Sequence, residues 1–457
     1  MPAKRNAHRH FLSVAIPMVL AAAASPMPGI VDTAMLGHLS DVHYLSAVAA
    51  GSTIIGIVIW SFSFLRMGTT ATTARALGSI DLPRCQLLLV QSLLLAGGLG
   101  IAIILLRDAL LGLSFMLIKP PTQSRALAEA YTGIRILGAP AILGLFCITG
   151  WLIGIQKAKP ALGLMLLVNA LNIGLDFIFI INLDMNSEGA AWASLIAEYV
   201  GLFVGLVVVL RLAFVDKLGL RNGTEALDSD WLVSQLRQLS QYRELFTVNR
   251  HLFIRTTCLV FTFAFFTAQG AKQGATILAA NAILIQLFVL FSFGLDGFAQ
   301  AAEALCGEAI GGGNQARFFQ ICRLAGAWGF GVATLTTGLY LTFDDTIIGL
   351  FTNLHEVTVA ANQYFVWLAM VPLTAVGSFV LDGIFLGAGK TASMKNIMLV
   401  ATFAIFLPVW FLTKDQGNDG LWIAFLTFMA ARTGLMTATF WHISRRSWLL
   451  DGTSSKA

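Results

Sequence analysis

Apolar residues run through this chain in long unbroken stretches separated by short polar loops. Neither the strict alternation of a half-buried strand nor the three-to-four spacing of a soluble amphipathic helix dominates. The stretches cover about 11–38, 44–73, 84–113, 126–153, 159–183, 188–213, 245–270, 274–306, 318–346, 357–387, 393–413 and 418–443. Each is long enough to cross a hydrocarbon core of ~30 Å as a helix. The pattern predicts an all-α polytopic membrane protein with twelve transmembrane helices in two pseudo-symmetric six-helix bundles. The longest polar interruption, 214–244, carries both signs of charge and falls at the midpoint. It divides the chain into an N-terminal six-helix lobe (1–213), a cytoplasmic linker (214–244) and a C-terminal six-helix lobe (245–457). Trp231-Leu-Val-Ser-Gln-Leu-Arg-Gln-Leu239 has helical periodicity and suits a solvated linker helix or one lying on the membrane surface.

The halves match at a shift near 231–233. Trp60-Ser61-Phe62 corresponds to Phe291-Ser292-Phe293, Pro140 to Pro372, Gly154-Ile-Gln-Lys157 to Gly387-Ala-Gly-Lys390, and Glu188-Gly189 to Asp419-Gly420. Each match is short, and the near-constant offset is the signal. A six-helix repeat whose copies begin on the same side implies two bundles related by an axis along the membrane normal.

Composition agrees: 57% of residues are hydrophobic and only 12% charged, with a mean hydropathy of +0.78. A soluble domain carries roughly twice that share of charge. The net charge of +5 is not a nucleic-acid signal, because the basic residues sit in short loops. Arg107, Lys119, Arg125, Lys272 and Lys414 fall on one side of the membrane and the great majority on the other. The positive-inside rule then puts both termini in the cytoplasm of an inner (plasma) membrane protein, in agreement with an even number of spans. Lys4, Arg5 and Arg9 precede an apolar run of full membrane length, so the first helix is expected to be retained rather than cleaved as a signal. Cys85, Cys147, Cys258, Cys306 and Cys322 are scattered and odd in number, and give no disulfide or metal framework.

The candidate chemistry begins at Asp32, a lone carboxylate inside the first apolar stretch. An ionised carboxylate near the bilayer centre costs ~2.5–3.5 kcal/mol on insertion scales, so such groups persist mainly where they face a bundle interior or water. Pro17, Pro26, Pro28 and Gly29 precede it and would let the helix bend. The fifth stretch offers Asn169, Asn172 and Asp176, spaced i, i+3, i+7 on one helical face. The sixth adds Ser194 and, four residues on, Glu198. If these helices meet, Asp32, Asn169, Asn172, Asp176 and Ser194 make an oxygen-rich cluster. Two carboxyls sharing a poorly solvated site can hold a proton, and the same oxygens could hold Na⁺. Interhelical hydrogen bonding is the structural alternative for the amides and the serine.

The second half has no copy of this set. The counterpart of 169–176 reads Thr402-Phe-Ala-Ile-Phe-Leu-Pro408-Val-Trp410, and the counterpart of the first span carries Arg255. Asp296, Glu303 and Asp382 are the acids there, and Arg255 pairing with Asp296 or Asp382 would leave neutral ion pairs. Gly387-Ala-Gly-Lys390-Thr391 resembles a phosphate loop, but position 384 is Ile where a Walker A motif requires Gly. Asn222-Gly-Thr224 fits the glycosylation pattern but lies on the expected cytoplasmic side. There is no ATP motif and no metal-ligand spacing among the histidines, and no cofactor is expected, so any pumping would draw on an ion gradient.

Val31-Asp32-Thr33-Ala-Met-Leu-Gly37, Asn169-x-x-Asn172-x-x-x-Asp176 and Gly189-Ala-Ala-Trp-Ala-Ser194, with Pro17 and the six-plus-six layout, resemble the multidrug and toxic compound extrusion (MATE) family. Phe253-Ile-Arg255-Thr256, Ala301-Ala-Glu303-Ala-Leu305 and Leu381-Asp382-Gly383 are similar to its DinF branch, and the resemblance covers essentially the whole chain. It implies a V-shaped, monomeric secondary transporter, not an enzyme, alternating between outward- and inward-open forms. Asp32, Asp176, Asn172 and Ser194 would be its cation site, with Ser where the family usually has Thr. The expected activity is antiport of amphipathic or cationic organic compounds against H⁺, with protonation of Asp32 bending the first helix near Pro17 or Pro26. Alternatives are Na⁺ coupling, a lipid-linked precursor flippase of the same superfamily, and an intramembrane aspartyl enzyme. The last is opposed by the absence of Tyr-Asp and Gly-x-Gly-Asp around the aspartates.

Overall fold

A computed structural model describes residues 2–37, 42–118, 122–215, 234–352 and 354–445. Twelve helices in it are long and apolar enough to cross a membrane. They are α1 (Ala7–Gly37), α2 (His43–Gly78), α3 (Leu82–Leu105), α4 (Thr122–Gly154), α5 (Ala158–Asn182), α6 (Asn186–Ala213), α7 (Arg243–Ala271), α8 (Ala275–Gly311), α9 (Gln315–Gly349), α10 (His355–Gly387), α11 (Thr391–Gln416) and α12 (Asn418–Ser444). No strand occurs among the described residues. The expected all-α, twelve-span fold is what is found. Most of the expected linker, 216–233, lies outside the described residues; of the segment expected to be helical, 234–237 form a helical turn.

The helix ends follow local chemistry. The Asp81 carboxylate accepts the Arg84 backbone N–H (3.0 Å) at the start of α3, and Asn314 does the same for Arg317 (3.0 Å) at the start of α9. The third apolar stretch does not continue as one helix. It ends at Leu105, and a separate short helix, Arg107–Ile118, follows. Arg107 and Asp108, an exposed ion pair at 3.0 Å, mark the break that hydropathy alone ran through.

By contacts the chain forms two compact units, Ala23–Phe246 and Met1–Ala22 together with Thr247–Ala457. This differs from a simple division at the linker, since the first 22 residues group with the second half. Phe11 stacks on Phe298 with ring centroids 6.3 Å apart, and a Cβ on Gly297 would strike the Val19 backbone. The chain therefore passes between units inside helices, at 22–23 and at 246–247.

Helix packing repeats the internal duplication. A Cβ on Gly150 of α4 would run into the Arg66 carbonyl of α2, and one on Gly154 into the Thr70 carbonyl. In the second unit a Cβ on Gly383 of α10 would meet the Ala299 carbonyl of α8, and one on Gly387 the Glu303 carbonyl. Each residue of the first set maps onto the second by the same displacement, within the range read from the sequence. Small residues that let helix backbones touch are a main source of helix association in lipid. The second unit adds an aromatic core in which Phe266, Phe288, Trp422 and Phe425 meet with centroids 5.1–5.9 Å apart.

Candidate functional site

Helix α1 is α-helical through Ala24, opens at Ser25–Pro26, and resumes over Met27–Gly37. In an unbroken helix the Ala24 carbonyl would accept the N–H of residue 28, but residue 28 is proline and has none. Asn169 of α5 fills the vacancy: its Nδ2 donates to the Ala24 carbonyl at 2.7 Å. Asn169 is thus placed at the helix break, away from the acids with which its spacing had grouped it. Pro17 lies inside the first segment without ending it; Pro26 is in the opening and Pro28 two residues beyond it.

The resumed segment carries Asp32, buried at 5% exposure. Its carboxyl lies beside that of Asp176, close enough for the two to act on each other. Asp176 is fully buried and is the last residue of α5 before the helix widens to π winding over Phe177–Asn182, a local distortion common at functional positions. Asn172 and Ser194 complete the cluster, both buried. With its nitrogen turned toward Asp176, the Asn172 amide donates to Asp176 Oδ2 (3.2 Å) and its oxygen accepts from Ser194 Oγ (3.1 Å) and Ser194 N–H (3.3 Å). Four of the five residues expected to meet do so. Two carboxyls this close in a poorly solvated site can hold one proton between them.

Sequence reasoning did not assign the groups behind the pair. Arg135 of α4 binds Glu198 of α6 (Nη2 to Oε1, 2.8 Å), both nearly buried. Tyr131, one turn before Arg135, is in hydrogen-bonding contact with it, and Arg135 acts electrostatically on Asp32 and Asp176. The i, i+4 spacing of Tyr131 and Arg135 inside an apolar span was the available signal. On the outer side of the same helices Ile30, Val31, Ala34, Met35, Phe177 and Ile181 line an open apolar groove of ≈ 480 Å³.

In the second unit Arg255 pairs with Asp382, and Arg432 of α12 donates to the same Asp382 oxygen at 3.0 Å. Asp296 acts on Arg432 electrostatically, and Glu303 is buried within α8. Of the two acids that sequence reasoning offered Arg255, the structure selects Asp382, and it adds Arg432, which had no assigned partner. No group of three or more metal-ligating side chains occurs among the described residues.

Twelve spans in two repeated units, with buried ionisable clusters in the helix interiors, define a multi-pass membrane transporter. The MatE family model matches the chain twice, over residues 17–178 and 252–412. DNA damage-inducible protein F of Escherichia coli (strain K12) is 36% identical over 95% of this chain and 91% of its own length. A probable multidrug resistance protein, NorM, of Pasteurella multocida (strain Pm70) is 23% identical over 94% and 92%. A solved structure described as a MATE in the bent conformation superposes with a TM-score of 0.83 at 19% identity, covering 98% of this chain and 97% of that one. The chain belongs to the MATE family of multidrug transporters and is a secondary transporter, not an enzyme.

Proposed function

We propose that this transporter exports amphipathic, often cationic organic compounds from the cytoplasm by antiport against H⁺, with Asp32 and Asp176 holding the coupling proton. The observation that carries the reading is the buried Asp32–Asp176 contact, reached by a helix that is already open at Ser25–Pro26. Proton uptake makes the pair compatible with direct contact and draws the Met27–Gly37 segment toward α5. Proton release makes both carboxylates anionic, drives them apart, and pushes the same segment away. Because α1 is open a few residues earlier, that push is expressed as a bend. The proline-containing break and the Asn169 cap support this.

Direct carboxyl–carboxyl contact favours H⁺ over Na⁺, since an ion between the two oxygens would separate them. In the alternative coupling, Asp32, Asp176, Asn172 and Ser194 supply the oxygens. A flippase for anionic lipid-linked precursors receives less support, because Arg135, Arg255 and Arg432 are each matched by an acid. Apolar residues beside the acids offer surface for the apolar part of a compound. The protein works without a cofactor, as a monomer, with both termini and the linker on the cytoplasmic side.

Asp32→Asn in a pump-deficient host should abolish drug resistance while leaving expression intact, and normal export by that variant would overturn the mechanism. Dye efflux from proteoliposomes should follow an imposed H⁺ gradient and ignore a Na⁺ gradient.

A further inference from the structure

Helices α8 and α9 are joined by a tight turn at Gly312–Asn314, which lays them antiparallel and in contact. Arg317 Nη2 reaches back to Glu308 Oε2 at 2.8 Å and fastens the two helix ends. Five residues before the end of α8 is Cys306, and seven residues into α9 is Cys322. Their sulfurs are 4.0 Å apart. The two thiols differ in access. Cys306 is fully buried, whereas Cys322 is half-buried and lines an open cavity of ≈ 470 Å³ with Phe319, Arg323 and Phe440. The two phenylalanine rings meet edge-on at 6.3 Å, and Arg323 is tied by its Nε to the Phe319 carbonyl at 3.3 Å. The other cysteines are buried, and Cys85 and Cys147 donate to the carbonyls of Thr73 and Ser92.

We propose that Cys322 and Cys306 form a peroxide-reactive dithiol that takes an apolar organic hydroperoxide in the Phe319–Phe440 cavity and closes to a reversible disulfide between α8 and α9. The Cys322 thiolate attacks the terminal oxygen of the hydroperoxide, the O–O bond breaks, and the alkoxide leaves with one proton as an alcohol. Cys322 is then a sulfenic acid, oxidised by two electrons. The Cys306 sulfur attacks it, the S–O bond breaks, and the hydroxyl leaves with the Cys306 proton as water. The net change is two thiols and one hydroperoxide giving one disulfide, one alcohol and one water. Exposure sets the order: only Cys322 meets the oxidant, and only Cys306 is near enough to resolve it. The sulfurs must close from 4.0 Å to about 2.05 Å, within reach of side-chain rotation in adjacent helices. In a reducing cytosol the resting pair is the dithiol.

The test uses the full-length transporter in proteoliposomes, exposed to cumene hydroperoxide or hydrogen peroxide at equal concentration. Free thiols in denatured samples are counted by a maleimide mass tag, and linked peptides are identified by mass spectrometry. Cumene hydroperoxide should reduce the thiol count from five to three, with one peptide joining Cys306 to Cys322, and dithiothreitol should restore all five. Cys322→Ser should keep its four thiols throughout, whereas Cys306→Ser should collect a dimedone adduct at Cys322. Loss of thiols elsewhere first, absence of the 306–322 peptide, or unchanged oxidation of Cys322→Ser would overturn the assignment. A reaction with hydrogen peroxide as fast as with cumene hydroperoxide would overturn the apolar cavity as its binding site.

Discussion

The hydrogen bond from Asn169 to the Ala24 carbonyl can be isolated by a double-mutant cycle with Pro28, because one residue supplies the donor that the other lacks. Pro28 removes the N–H that would serve that carbonyl, and Asn169 supplies a replacement at 2.7 Å. Asn169→Ala in the native background strands a helix carbonyl inside the membrane. Interhelical hydrogen bonds in membranes average ~0.6 kcal/mol and reach ~1.7, while a buried polar group left unsatisfied costs ~1–3 kcal/mol. The overlap of the two ranges puts the loss at about 1.5 kcal/mol, since this carbonyl has no helical partner to return to. Pro28→Ala gives the partner back. In that background Asn169→Ala should cost only a few tenths of a kcal/mol, leaving a coupling of about 1 kcal/mol. Denaturant midpoints of the four purified proteins in mild detergent measure it, with the slope held constant to exclude a change in the unfolded state. Equal costs of Asn169→Ala in the two backgrounds, within about 0.3 kcal/mol, would show that the amide does not compensate the proline.

Other substitutions test the remaining contacts. Asp382→Ala leaves the buried Arg255 and Arg432 without their shared acceptor and should destabilise by about 3–5 kcal/mol, read as a collapse of monodisperse yield; Arg432→Met, which leaves the Arg255–Asp382 pair, should cost less. Gly383→Ala drives a Cβ into the Ala299 carbonyl, where backbone cannot yield, and should cost at least ~3 kcal/mol, the upper end for overpacking; a melting curve equal to wild type would refute the close approach. Ser194→Thr should keep transport in a dye-efflux assay because the hydroxyl to Asn172 survives, whereas Ser194→Ala should slow it and lose ~1 kcal/mol of stability. Arg135→Met strands the buried Glu198 and should lower thermal stability by ~3 kcal/mol or more, and Glu198→Gln in addition should recover part of it.

The spans were legible because a hydrocarbon core demands long apolar helices, and the duplication because Gly154 and Gly387 occupy equivalent close contacts. The acid cluster was legible in part. Asn169, Asn172 and Asp176 share a face, but a face is a line along the helix and not a point. Seven residues span about 10 Å, so Asn169 meets the α1 break while Asp176 meets Asp32. Arg432 shows the opposite difficulty: one basic residue in an apolar span declares that it is paired, yet nothing in the spacing names Asp382. Residues 1–22 joined the second unit for a similar reason. Apolar periodicity tells which residues are buried, and the contact between Phe11 and Phe298 is a tertiary choice between equally apolar surfaces.

The two units keep the same backbone contacts but not the same charges, and this asymmetry argues for where coupling occurs. Glycine at a helix crossing is constrained by volume alone, so Gly150 and Gly383 both remain. A buried charge is constrained by its whole partner set, and the sets have diverged. In the first unit three acids (Asp32, Asp176 and Glu198) surround one cation, Arg135. Glu198 takes up Arg135, and the remaining pair must acquire a cation to be neutralised. In the second unit Arg255 and Arg432 both pair with Asp382, with Asp296 acting on Arg432 and Glu303 also buried. Protonating Asp382 would strand its two arginines. The acid-rich cluster is also the one joined to an open helix, whereas Arg255, Asp382 and Arg432 lie on helices that run unbroken past them. The proposed exchange of a cation for a bend therefore draws its support from the first unit, where the acid pair and the open helix meet.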